Sequence, residues 1–121
     1  MSACIHGGAN ISIGDGCFVN YQAWIENNVV IGKNCNIAYK VTFCTSTHII
    51  GDNTRRAGAS MSDEIKVGDG TWIGANALIL PGIHIGSGCI IGAGSVVTKD
   101  CIDNGVYAGN PAMLIRKLDD K

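Results

Sequence analysis

The chain has 121 residues, of which 46% are hydrophobic, 16% charged and 6% aromatic, with 17 glycines and 2 prolines. Nine Lys/Arg against ten Asp/Glu leave a net charge of −1, which gives a nucleic-acid partner no basic stripe, and the apolar fraction is too high for a disordered chain. No apolar run reaches the roughly 20 residues of a membrane span, and the length fits one domain over residues 1–121.

At the N-terminus, His6, Gly7, Gly8, Asn10 and Asp15 interrupt any signal-peptide apolar segment, so a cytoplasmic setting is expected. The six cysteines include no C-x-x-C pair and are expected as free thiols. Glycine is about twice its usual share of roughly 7%. That excess has no matching proline and points to a periodic structure.

A six-residue period runs over about residues 7–48 and resumes over 65–102. Its anchors are Ile13, Val19, Ile25, Ile31, Ile37 and Phe43, then Val67, Ile73, Ile79, Ile85, Ile91 and Val97. All are apolar, and all but Phe43 are β-branched. The residue two before each anchor is uncharged, and Gly14, Gly32, Gly68, Gly74, Gly86 and Gly92 directly follow anchors. Apolar residues at i and i−2 share one face of a strand, whereas a helix needs i, i+3, i+4 spacing and is penalised by each glycine. Such short strands cannot pair as hairpins. They predict a parallel solenoid in which three hexads make an 18-residue triangular rung. Separations that are multiples of 18 put Ile13, Ile31, Val67 and Ile85 on one column, and Cys17, Cys35 and Cys89 on another. Cys101 shares their inward phase, so these four thiols read as packing residues. Cys4 and Cys44 are out of phase and receive no role.

The period breaks over residues 49–64, where Arg55 and Met61 fall in anchor phase. A loop thrown outward from a rigid scaffold is expected there, placed to carry function. Over residues 103–121 the period is lost again, and the tail is expected to cap the last rung, with a short helix after Pro111.

Three stretches resemble a known family: TSTH (Thr45–His48), VGDGTWIGANALILPGIHIGSGCIIGAGSVVTKD (Val67–Asp100) and AGNPAMLIRK (Ala108–Lys117). They are similar to the hexapeptide-repeat acyltransferases, above all the galactoside/maltose O-acetyltransferase branch, and the resemblance covers about residues 7–117. It implies an all-β, single-stranded left-handed parallel β-helix, an exception to the right-handed crossover rule. It also implies acetyl-CoA as acyl donor and a homotrimer with active sites at subunit interfaces. The sequence departs from the branch in several places, among them Glu26, which stands where an aspartate is more usual. The chain starts almost at the first rung, where the branch carries a largely helical segment that shapes the acceptor site. Met113 replaces a common arginine, and Ala75 follows W-I-G where some members have serine.

His48 matches the family's catalytic histidine; on its own it would read as a solvated rung-edge residue. Histidine titrates near working pH, which suits a general base for acyl transfer to a hydroxyl. Asn20 and Glu26, one residue after anchors Val19 and Ile25, are exposed polar corners or, by resemblance, acceptor-binding groups. For acetyl-CoA the resemblance implies the Ala93 region, with Ala75, along the pantetheine, and Thr98, Lys99 and Arg116 towards the nucleotide. The two cations would meet phosphates through charge-assisted hydrogen bonds. Trp72 lines the groove wall or a trimer contact. Arg55 matches a family arginine; Arg56 has no counterpart, and both suit loop solvation equally.

Cys44, four residues before His48, would lie about 13 Å away along an extended strand, so direct transfer is expected rather than an acyl-enzyme. GSGCIIGAG lacks the helix that a dinucleotide loop needs. His6, His48 and His84 lack the spacing of a zinc site, and no metal is expected. The expected function is acetyl-CoA-dependent O-acetylation of a small acceptor, a sugar or glycoside. The alternatives are N-acylation of an amino sugar or a xenobiotic, and a non-catalytic trimeric scaffold.

Overall fold

The computed structural model describes residues 4–5 and 10–119, with side chains over 10–119. His6, the side chain of Cys4 and the expected rung start at residue 7 lie outside the described residues. Strands are the regular elements throughout, and no helix occurs among the described residues. Successive strands step from one parallel sheet to the next, so the chain coils around three faces. The first face holds Ile11–Ile13, Val29–Ile31, Ile65–Val67 and His84–Ile85. The second holds Phe18–Val19, Asn36–Ile37, Trp72–Ile73, Ile90–Ile91 and Gly105–Gly109. The third holds Cys4–Ile5, Trp24–Ile25, Thr42–Phe43, Leu78–Ile79 and Val96–Val97.

Each anchor pairs with the anchor above and below it, as in the column Ile13, Ile31, Val67, Ile85. Side chains alternate along each strand, so the anchors and the residues two before them point inward. Together they form a single core that includes Ile25, Ile37, Phe43, Ile73, Ile79 and Ile91, with Phe43 its largest fully buried side chain. The thiols line one edge of this core. Cys17 donates to the Gly32 carbonyl (3.0 Å), Cys35 to Gly68 (3.1 Å) and Cys89 to Ile102 (3.0 Å). Thr71 occupies the intervening position of the column and donates to Gly86 (2.8 Å). Burial pushes the Cys35 and Cys89 thiols up and raises Cys101 to about 12, which fits inert packing residues.

The glycines of the coil's hexads fall into two kinds, of which only one is visible as a glycine after an anchor. Gly74 is of that kind: a methyl group there would lie 2.6 Å from the Ala93 backbone nitrogen of the next rung. The second kind lies three residues after each anchor, from position 16 to 40 and from 70 to 94, where φ is between 57° and 80°. Gly70 and Gly94 have open space around them, so backbone conformation alone favours glycine there. Gln22, Lys40 and three asparagines hold the same conformation at other corners of the period, and asparagine tolerates it best among them.

Three expectations are corrected. The chain leaves the coil at Ser46 rather than at residue 49, and the expected loop is an antiparallel hairpin of Ser46–Ile50 and Ala57–Ser62. His48 therefore lies within the hairpin rather than at the end of a rung. The Asp63 N–H closes the hairpin base on the Thr45 carbonyl (2.9 Å). Second, Ala112–Lys117 is a strand, antiparallel to Gly105–Gly109, where a helix was expected. The returning strand satisfies backbone groups that the last strand of the second face would otherwise leave unpaired. Third, the last turn is shortened: Ile85 meets Cys101 and Ile91 meets Tyr107, each 16 residues on rather than 18. Cys101 is buried, as its inward phase implies, and it lies beneath Ile85.

Candidate active site

The third face is flanked by two corners, and most of the residues singled out from sequence fall on one or the other. At the corner entering this face, Asn20 follows Val19, and two rungs further along the same corner Ala75 and Ala93 stack, with the Gly94 N–H on the Ala75 carbonyl (2.8 Å). The Asn20 side chain accepts from the Tyr21 N–H (2.6 Å). At the corner leaving the face, Glu26, Cys44, Leu80 and Thr98 continue the paired strands as one column. Glu26 and Thr98 are three rung steps apart, roughly 14 Å at the usual strand spacing. Lys99 follows Thr98, and both are exposed. Trp72 projects from the second face, 54% exposed. Arg116 lies on the returning C-terminal strand, opposite Val106.

The His48 hairpin grows from the corner that holds Glu26. The Glu26 carboxylate accepts from the Thr45 N–H (3.0 Å), the Ser46 N–H (3.1 Å), the Ser46 hydroxyl (2.8 Å) and the Trp24 indole N–H (3.2 Å). The Thr45 hydroxyl, fully buried, donates to the Asn27 carbonyl at 2.6 Å. Glu26, Asn27, Thr45, Ser46 and Ser62 line a small cavity of about 240 Å³. Burial pushes the Glu26 carboxyl up, but the Ser46, Trp24 and Thr45 donors outweigh it and hold the carboxyl below its usual range.

His48 pairs across the hairpin with Ser60, and its exposed ring makes one bond within the hairpin, from Nδ1 to the Gly58 carbonyl at 3.0 Å. A carbonyl can only accept, so Nδ1 carries the proton and Nε2 of the neutral ring is left with its lone pair. That is the tautomer a general base requires. A bulge between His48 and Ile50 shifts the register and brings Gly58 into reach of the ring. Gly58 has no room for a side chain, since a methyl there would lie 2.6 Å from the Ile49 carbonyl oxygen.

Cys44 donates to the Ser46 carbonyl (3.4 Å) at the hairpin root. At the hairpin tip the Arg56 guanidinium donates to the Gly51 carbonyl (3.1 Å), so Arg56 tightens the turn. His84 projects from the first face, and its backbone N–H donates to the Asp100 carboxylate (2.8 Å). Among the described residues, no three His, Cys, Asp or Glu side chains group so as to hold a metal ion.

Sequence reasoning missed Thr45, Ser46 and Gly58 as parts of this arrangement. Thr45 and Ser46 belong to the TSTH stretch, but only the fold sets them beside Glu26. Gly58 was readable as a glycine in the excursion, not as the partner of the His48 ring.

A triangular parallel coil with an outward hairpin is the left-handed parallel β-helix fold. The bacterial transferase hexapeptide (six repeats) family model matches residues 64–99. The chain is 35% identical over 116 residues to the galactoside O-acetyltransferase of Lactococcus lactis, covering 94% of this chain and 56% of that protein. It superimposes on a maltose O-acetyltransferase from Clostridium difficile 630 with a TM-score of 0.90 and 38% identity, over 98% of this chain and 65% of that one. A galactoside acetyltransferase in complex with coenzyme A gives 0.89 and 38%, over 98% and 60%. The chain thus spans little more than half the length of the first of these relatives.

Proposed function

We propose that the chain is an acyltransferase that moves an acetyl group from acetyl-CoA to a hydroxyl of a small acceptor, a sugar or glycoside. The observation that carries this reading is the His48 ring, held by Gly58 with Nε2 free, in a chain similar to galactoside and maltose O-acetyltransferases. The relative bound to coenzyme A supports the choice of donor.

In this reading His48 Nε2 takes the acceptor's hydroxyl proton as the oxygen bonds to the thioester carbonyl carbon. The tetrahedral intermediate then breaks its C–S bond, and the imidazolium returns the proton to the departing thiolate. No acyl-enzyme forms. Asn20 faces the acceptor, Ala75 and Ala93 flank the pantetheine arm, and Thr98, Lys99 and Arg116 meet the nucleotide end. Lys99 and Arg116 suit phosphate groups because each presents an exposed cation. The readout is coenzyme-A release from acetyl-CoA over a panel of sugars, glycosides, amino sugars and xenobiotics. Turnover confined to hydroxyl acceptors supports the reading; turnover with amines alone replaces it with N-acylation. No turnover and no thermal shift with coenzyme A favours a non-catalytic scaffold.

The same reading makes the protein a homotrimer with each site between two subunits. Two outer faces are apolar, with Phe18 and Trp72 on the second and Trp24 on the third, whereas the first presents Ser12, Lys66 and His84. Trp72→Glu places a charge in the contact, and sedimentation should show a shift from trimer to monomer with loss of turnover. An unchanged sedimentation coefficient would put Trp72 outside the interface.

A further inference from the structure

We propose that Glu26 is a positioning residue, the latch that holds the root of the His48 hairpin against the coil, rather than a ligand of the acceptor. This rests on the acetyltransferase reading only for its kinetic consequence. Three of the four bonds to the carboxylate come from Thr45 and Ser46, the residues at which the chain leaves the coil. All three converge on Oε1, so that oxygen has no capacity left for an acceptor hydroxyl. The Trp24 indole holds Oε2 from the strand that precedes Glu26, which fixes the carboxylate plane.

His48 is two residues beyond Ser46, on the same strand. Elsewhere at the hairpin root the Asp63 N–H and the Thr45 hydroxyl hold Thr45, and the Cys44 thiol donates to the Ser46 carbonyl at 3.4 Å, a contact between residues two apart along the chain. Glu26 is therefore the group that ties the Ser46 end of the His48 strand to the preceding rung. A hairpin that pivots at this point moves Nε2 relative to substrates held on the corners. Misplacement of that kind lowers turnover without weakening acceptor binding.

The test combines amide hydrogen exchange with steady-state kinetics on the full chain, comparing Glu26→Ala and Glu26→Gln with the wild type. Glutamine keeps an oxygen for the Thr45 and Ser46 donors, so it should restore part of what alanine loses. In Glu26→Ala, exchange at the Thr45 and Ser46 amides should speed up about tenfold or more, with Ile37 and Ile73 unchanged. Unchanged rung amides also show that the coil has folded. The kcat should fall about tenfold or more while the acceptor KM stays within about twofold. Unchanged exchange at Thr45 and Ser46 overturns the latch, as does a rise in acceptor KM with kcat preserved, which would make Glu26 an acceptor ligand. If the wild-type chain turns over no acceptor, the acetyltransferase reading fails while the exchange arm still decides the latch.

Discussion

His48→Ala should lower kcat by about 10²- to 10⁴-fold and leave coenzyme-A binding and thermal stability unchanged. The ring is exposed and its bond to Gly58 is local to the hairpin, so its removal creates no cavity in the coil. What is lost is the lone pair at Nε2. Without it the acceptor oxygen must attack as a neutral hydroxyl, and the thiolate must leave without a positioned proton donor. The effect should therefore appear equally in kcat and kcat/KM, with the acceptor KM little changed. The bond from Nδ1 to Gly58 adds a second expectation. His48→Gln, which lacks an imidazole, should be no better than alanine. Turnover by His48→Ala at the wild-type rate would end the general-base assignment.

Phe43→Ala should destabilise the fold by about 3–5 kcal/mol. Phe43 is fully buried on the third face, in register between Ile25 and Ile79. Its neighbours in the core are mostly valine, isoleucine and alanine, whose backbones are fixed by ladders on both sides. The stacked strands cannot close around the space, so the cavity term adds to the lost transfer energy. Phe43 also belongs to the last strand before the hairpin, so its loss weakens the rung from which His48 projects. Thermal melting at fixed protein concentration should show a fall of the order of 10 °C or more. A shift of less than about 3 °C would mean that the column relaxes to fill the space.

The coil was legible because each hexad carries its own alternation. Ile83 and Ile85 mark a strand by themselves, and the multiple-of-18 spacing then sets which strands meet. The glycines after anchors were legible as well, but not the reason for them, which is the close approach of the rung above. The left-handed corners three residues on were harder to see, since Gln22, Asn28, Lys40 and Gly70 share a backbone conformation and little chemistry. The hairpin escaped because Ser46–Ile50 and Ala57–Ser62 have no clean alternation: both faces are solvated and pairing depends on a bulge. Pro111 misled in the other direction. It is compatible with a helix start, yet the free edge of Gly105–Gly109 claimed the residues after it. At the site, His48 was readable only through its motif. The bond to Gly58 and the convergence on Glu26 needed residues 10 and 20 positions apart to be brought together by the fold.

The hairpin has a consequence for how such a molecule changes over generations. Thr42 and Leu78 are paired 36 residues apart, where neighbouring strands of that face repeat after 18. The excursion therefore takes up one full turn's length and returns the chain to the column it left. The core above and below is stacked as if nothing had been inserted. Sequence drift within the hairpin is thus uncoupled from the packing of the prism, and a new reactive segment can be tried on the same frame without a compensating change in any buried side chain.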